Sequence, residues 1–158
     1  MNIREATIED VPEMANLWLE LMNYHKDHHL VFIAKENAKK LIEDDLRNRI
    51  ENTESRLFIA ETENELSGFI SCSFRIVQHI MIYNRRGYIA ETVVSKKFRG
   101  QGIGKLLFER AKEWFEEENA DHIELQVSLK NDGAMNFWGS QGFEGSTQHM
   151  VRILKKKE

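Results

Sequence analysis

Six consecutive residues concentrate the chemistry of this chain: Arg99-Gly100-Gln101-Gly102-Ile103-Gly104, with Lys105 directly after them. Three glycines at alternate positions follow a predicted strand and open a predicted helix. Without a Cβ in the way, successive backbone N–H groups can turn inward and approach an anion closely. The helix adds unpaired N–H groups and the positive end of its dipole. Lys96, Lys97, Arg99 and Lys105 surround this nest with positive charge. Such a constellation suits a phosphate or pyrophosphate. Two common phosphate motifs fail on spacing. A P-loop ending at Gly104-Lys105 requires glycine at position 99 and a hydroxyl at 106, where this chain has Arg99 and Leu106. A G-x-G-x-x-G fingerprint counted from Gly100 or Gly102 puts Lys105 or Leu107 at its third glycine.

The elements around the nest follow from periodicity. Residues 2–6 read as a short strand. Thr7 and Asp10 are capable N-caps, and Pro12 is tolerated only in a first helical turn. Val11, Met14, Leu17, Trp18, Leu21 and Met22 recur at helical steps as far as about Asn23. Tyr24–Phe32 reads as a polar, His-rich loop. A second helix carries Ala38, Leu41, Ile42, Leu46 and Ile50 on one face. Leu57–Ala60 and Leu66–Ile76 form a hairpin across the turn Glu61–Glu65, and Gly87–Val94 is the strand entering the glycine loop. After it come a helix through Ile103, Leu107, Ala111, Trp114 and Phe115, and a strand over Ile123–Ser128. A short helix starts at Asn131 and ends at Gly142-Phe143, and a last strand covers Gln148–Leu154.

With 158 residues, 41% hydrophobic and 30% charged, the chain is expected to fold as a single domain over 1–158. One cysteine, Cys72, excludes an intrachain disulfide and argues against a cysteine zinc site. No apolar run reaches membrane-spanning length and no signal pattern opens the chain, so no membrane and a cytoplasmic setting are expected. The net charge of −4 disfavours nucleic acid as a partner. That charge is divided: residues 1–80 carry −6 and residues 81–158 carry +2. The second half therefore suits an anion and the first a cation.

The pattern that does fit the loop is Arg-x-x-Gly-x-Gly, placed on Arg99, Gly102 and Gly104 after Val94 and before a Leu-rich helix. In this the chain resembles the GCN5-related N-acetyltransferases, whose acetyl-CoA signature has that form. Leu125–Ser128 followed by Asn131-x-x-Ala134-x-x-Phe137-Trp138-x-x-x-Gly142-Phe143 is similar to the family's second CoA-binding region. The opening Ile3-Arg4-x-Ala6-Thr7-x-x-Asp10 is also typical, so the likeness covers nearly the whole chain. It implies an α/β fold with a mixed sheet, in the order β-α-α-β-β-β-α-β-α-β, splayed between the fourth and fifth strands. The acetylated pantetheine arm of acetyl-CoA would lie in that gap against the backbone of Thr92, Val93 and Val94. Arg99, Gly100, Gln101, Gly102, Ile103, Gly104 and Lys105 would hold the pyrophosphate. Asn131 and Trp138 would be the cofactor-binding residues of the second region. No metal is implied, and a homodimer is the common assembly.

The implied chemistry is attack of a neutral amine on a thioester carbonyl. The N–H of Val94 is the implied oxyanion donor. A primary amine has an ordinary pKa near 10.4, so a base or a water relay is needed at neutral pH. Some family members place a glutamate where this chain has Gln126, which cannot take a proton. Glu91, on the fourth strand, is then the candidate base, with Glu124 in reserve. The family's acid is a tyrosine where this chain has Trp138; a thiolate with a pKa near 8.5 can leave without one. Tyr88, Tyr24 or a water are the other proton donors to consider. His25, His28 and His29 read as a polar loop at the acceptor mouth, not a metal site. Glu20, Asp27, Glu36, Glu43, Asp44 and Asp45 in that region point to a cationic small-molecule amine as acceptor. The alternatives are a protein or peptide N-terminus, and a non-enzymatic acetyl-CoA-binding module.

Overall fold

In the computed structural model, which describes residues 1–157, five strands form one sheet in the order β1-β2-β3-β4-β5. The strands are β1 (Asn2–Glu5), β2 (Ser55–Thr62), β3 (Glu65–Arg75), β4 (Arg86–Val94) and β5 (His122–Leu125). The helices are α1 (Val11–His25), α2 (Ala38–Glu51), α3 (Ile103–Glu117) and α4 (Asp132–Ser140). Neighbours from β1 to β4 are antiparallel, and β5 runs parallel to β4. Two compact units are present, one spanning Met1–Ser128 and the other beginning at Leu129. The whole sheet and α1 to α3 belong to the first unit, and α4 to the second. No helix among the described residues is long and apolar enough to cross a membrane.

Apolar spacing decides which face each helix covers. Val11, Met14, Ala15 and Leu17 of α1 and Ile42 and Leu46 of α2 pack on Leu57, Ile59, Phe69 and Val93. Pro12 stands in the first turn of α1, where its missing N–H costs nothing. Arg4 forks between Asp10 and Glu61, each at 2.8 Å, and so ties β1 to the start of α1 and to β2. The opposite face of the sheet takes α3. Phe74 meets Trp114 and Phe115 at ring separations of 5.4 and 5.7 Å. The hairpin between β2 and β3 turns on Glu63 and Asn64, whose φ values of 54° and 63° give the mirror-image turn that matches strand twist.

Several boundaries differ from the sequence expectation, β2 reaching from Ser55 to Thr62 where the sequence predicts Leu57–Ala60. Helix α1 continues past Asn23 to His25, the strand expected over Ile123–Ser128 stops at Leu125, and a 3₁₀ turn occupies Leu30–Phe32. One element is absent. The last strand expected over Gln148–Leu154 does not form: the segment is irregular, and Met150 and Leu154 are 84% and 89% exposed. Alternating apolar residues supply strand propensity, but a strand exists only with a ladder partner. The described part of the second unit contains no other strand.

The seat of α3 depends on one close approach. A Cβ at Gly87 would lie 2.6 Å from the Phe115 ring, inside contact distance with a buried aromatic. Gly87→Ala is expected to destabilise the protein by about 2 kcal/mol through overpacking, read as a lower urea midpoint at unchanged slope.

Candidate active site

The site begins as a gap in a ladder. Strand β4 pairs with β3 along its length, from Arg75↔Arg86 to Gly68↔Val94. Its pairing with β5 covers only Arg86↔His122 to Ile89↔Leu125. Beyond Ile89 the β5-side edge of β4 is therefore unpaired, which is the expected splay. Ser95 donates its N–H to Ser67 O at 2.9 Å, toward β3. Because N–H direction alternates along a strand, the N–H groups of Val94 and Thr92 point the other way, into the gap. The Thr92 hydroxyl is buried and has no hydrogen-bond partner.

The glycine loop closes one end of this edge. A 3₁₀ turn at Lys96–Phe98 separates it from β4, and buried Phe98 and Ile103 anchor it on either side. Gly100 and Gly102 both have φ of +78°, and Gly102 is the N-cap of α3. A Cβ at either would meet nothing within 4 Å, so the left-handed backbone, not lack of room, calls for glycine. The first N–H groups of α3 have no acceptors within the helix and face outward from this turn. Arg99 folds back, its Nε donating to Val94 O at 3.1 Å. Lys97, expected to surround the nest, is instead held by Glu65 at 2.8 Å. Lys96 and Lys105 form no ion pair among the described residues.

Glu91 faces the opposite side of the sheet from α3, and a β-bulge puts it there. Ser71 is opposite Glu91 and Cys72 is opposite Ile89, which leaves Ala90 as the extra residue. The bulge breaks the alternation, so Glu91 shares the α1–α2 face with Ser71 while Ile89 lies on the α3 face. There Arg49 of α2 donates to Glu91 Oε2 at 2.5 Å and to Ser71 Oγ at 2.9 Å. The same guanidinium pairs with Asp45 at 2.7 Å and stacks on Trp18 of α1 at 4.9 Å. Burial pushes the Glu91 carboxyl above its ordinary range, and the charge and hydrogen bond of Arg49 only partly offset this. Neighbouring Cys72 is fully buried, and burial first, then the charge of Glu91, pushes its thiol up. It is not a nucleophile.

Other expected residues fall elsewhere. Glu124 is bound to Arg86 at 3.1 Å and to His122 at 2.9 Å, level with the start of β4. Tyr88 lies under the Arg75 guanidinium, six residues before Val94. Neither borders the open edge. Tyr24, His25, His28 and Phe32 form a ring stack at the end of α1. Of the acids expected at an acceptor mouth, Glu43 and Asp44 pair with Arg47, and Asp45 with Arg49. In the second unit, Asn131 caps α4 by accepting from Ala134 N at 3.0 Å. Trp138 is buried, with ring contacts to Phe137 and Phe143. Arg49, Ser71 and Trp18 are the site residues that sequence reasoning missed. Only the four-residue step from Asp45 to Arg49 hinted at any of them.

Comparison with known proteins gives a consistent picture. A family model described as acetyltransferase (GNAT) family matches residues 8–143. An uncharacterized N-acetyltransferase of Archaeoglobus fulgidus is 29% identical over 143 residues, covering 89% of this chain and 91% of that protein. N-alpha-acetyltransferase MAK3 of Arabidopsis thaliana is 29% identical, covering 88% of this chain and 73% of its own. Among solved structures, a mutant of the BH1408 protein from Bacillus halodurans superimposes with a TM-score of 0.87 at 26% identity, over 98% of this chain and 100% of its own. A predicted acetyltransferase from Clostridium acetobutylicum, solved with acetyl-CoA, shares the fold at a TM-score of 0.78 and 19% identity, over 97% and 96%.

The Glu91–Arg49 pair makes a measurable claim on stability. Removing Arg49 strands a buried carboxylate, so Arg49→Met is expected to cost about 2–3 kcal/mol near neutral pH. A raised folded-state value means that stability is lost as pH rises through it, and the variant raises that value further. The gap between wild type and Arg49→Met in urea melts should therefore be wider at about pH 8 than at about pH 5.

Proposed function

The chain belongs to the acetyltransferase (GNAT) family, and we propose that it works as one domain over residues 1–158, moving the acetyl group of acetyl-CoA to a primary amine. The observation that carries this reading is the conjunction, on one strand, of an unpaired edge ending in the glycine nest and a buried carboxylate with a raised pKa. The nest at Arg99, Gly100, Gln101, Gly102, Ile103, Gly104 and Lys105 receives the pyrophosphate. The outward N–H and C=O groups of Thr92 pair with the amide-bearing arm as an added strand would, the Val94 backbone meets its thioester end, and Val93 fixes the strand in the core. Asn131 and Trp138 serve the same cofactor, as the family resemblance implies.

In the reaction the amine lone pair forms the new C–N bond as the carbonyl π pair moves onto oxygen. The Val94 N–H stabilises that oxyanion. Collapse restores the carbonyl and breaks the C–S bond, and the sulfur leaves as a thiolate, for which no tyrosine acid is required. Glu91 takes the amine's proton. Three residues of strand separate it from Val94, about 10 Å, whereas direct transfer needs about 3 Å, so bridging water carries the proton. A base raised above the ordinary carboxylate range is better matched to neutral pH than an unperturbed one.

Exposed Glu20, Asp27 and Glu36 support a cationic small-molecule amine as acceptor. A second reading, a peptide N-terminus, is favoured by exposed Leu30, Val31, Phe32 and Ile33 beside the ring stack and by the internal pairing of the α2 acids. On either reading the setting is cytoplasmic and a homodimer is the expected assembly.

An acceptor panel with acetyl-CoA, read by free thiol, should give transfer to polyamines or aminoglycosides; activity confined to peptides would select the second reading. Glu91→Gln should lower kcat/KM by about 10²-fold and remove the acidic limb of its pH profile, which in wild type lies above the ordinary carboxylate range. An unchanged profile would exclude Glu91 as base. Acetyl-CoA should raise the melting temperature of wild type, and Gly102→Asp should abolish that rise by filling the nest and repelling phosphate.

A further inference from the structure

The far end of β4 carries a second concentration of positive charge, distinct from the glycine nest. Arg75 and Arg86 are direct cross-strand partners at the ends of β3 and β4, with Arg85 next in sequence. Like charges opposite one another on the same face of a sheet repel, and nothing in the strand pairing requires them. Arg75, Arg85 and Arg86 line a cavity of about 390 Å³ together with Phe74, His79, Asn84 and the acid Glu54. That volume lies in the range of small-molecule sites.

These arginines are ordered without being fully used. Arg75 lies over Tyr88, its Cζ 3.3 Å from the ring centre, and its side chain has no hydrogen bond or ion pair among the described residues. Arg85 lies over Phe74 at 3.9 Å, donates its Nε–H to the Glu118 carbonyl at 2.7 Å and approaches the Glu118 carboxylate at 3.9 Å. A guanidinium stacked by its face keeps the edge of its N–H fork available for two parallel bonds to one oxyanion. Arg86 is fixed by Glu124 at 3.1 Å and by Ile76 O at 2.9 Å, yet its Nε is buried with no partner. Asp121 holds the backbone N–H groups of Asn84 and Arg85 at 2.9 and 2.8 Å, fixing the loop that delivers them. Glu54 is the only carboxylate in the lining among the described residues; Glu124 and Glu118 pair with Arg86 and Arg85 from outside it, which leaves Arg75 as the cation without an acid partner.

We propose that this cavity binds a small, multiply charged carboxylate or phosphate anion, at a site separate from the one that holds acetyl-CoA. The bound anion neutralises the Arg75–Arg86 repulsion and receives the edge of the Arg75 fork. The two sites lie at opposite ends of β4, roughly 25 Å apart by strand rise. The ligand can therefore be present during acetyl transfer.

The test is calorimetric titration of the intact protein, saturated with acetyl-CoA so that the glycine nest is filled. Citrate and inorganic phosphate are the probes, with acetate as the single-charge reference at equal ionic strength. Saturable binding of citrate or phosphate in the submillimolar range is expected, with acetate at least tenfold weaker, and the stronger probe tells carboxylate from phosphate. Arg75→Gln, which breaks no ion pair and should fold normally, is expected to weaken binding at least tenfold, with Arg75→Lys in between. Binding unchanged by Arg75→Gln, or no saturation by either anion, would overturn the proposal. Attachment to anionic lipid vesicles through exposed Ile80, Met81, Ile82 and Tyr83, without citrate or phosphate binding, would also overturn it.

Discussion

Everything at the site follows from β4 having two neighbours for four residues and one thereafter. While β5 is alongside, from Arg86 to Ile89, the strand is an ordinary interior member of the sheet. Past Ile89 its outward backbone groups have no ladder partner, and an unpaired edge is a standing offer of hydrogen bonds. Here the offer is limited. The edge is about five residues long and stops at a turn whose glycines take the left-handed backbone. A ligand that is amide-like along part of its length and multiply anionic at one end satisfies both features together.

The bulge at Ala90 belongs to the same design. It falls at the transition from paired to unpaired strand, and it reverses which face the following side chains take. In a regular strand Ile89 and Glu91 would share a face, and Glu91 would point toward α3. With one extra residue Glu91 turns to the α1–α2 face, where Arg49, Ser71 and Trp18 receive it. A carboxylate there is costly to bury, and a single guanidinium offsets only part of the cost. Desolvation leaves the carboxyl shifted upward, so the burial that weakens the fold also produces the kind of perturbed group that functional sites use.

The sequence revealed the parts whose physics is local. The glycine loop was legible because left-handed backbone selects glycine by residue type, and α1 and α3 because their apolar stripes recur at helical steps. Residues whose roles depend on distant partners were not. Nothing near Arg49 announces that it meets Glu91, 42 residues on. Lys97 was grouped with the nest by proximity in sequence, yet Glu65, across the sheet, claims it. The strand expected at Gln148–Leu154 fails for the complementary reason: alternation expresses a preference, and the ladder that would realise it is a property of the whole fold.

Charge shows the same division between local and distant. The split of −6 and +2 between the halves suggested one anionic and one cationic ligand. In the folded chain the acids of α2 are largely consumed by Arg47 and Arg49, so their contribution to an acceptor field is smaller than the count implies. The positive charge, by contrast, is gathered at both ends of one strand: Lys96, Arg99 and Lys105 after Val94, and Arg75, Arg85 and Arg86 at the start. At the glycine end the backbone N–H groups of a left-handed turn and a helix start stand together with the cations. At the arginine end no helix terminus or nest is present, and the available donors are side chains, two of them seated over aromatic rings. Such forks select the geometry and charge of an oxyanion more sharply than a backbone cradle, which is the physical basis for treating the two ends as separate sites with separate ligands.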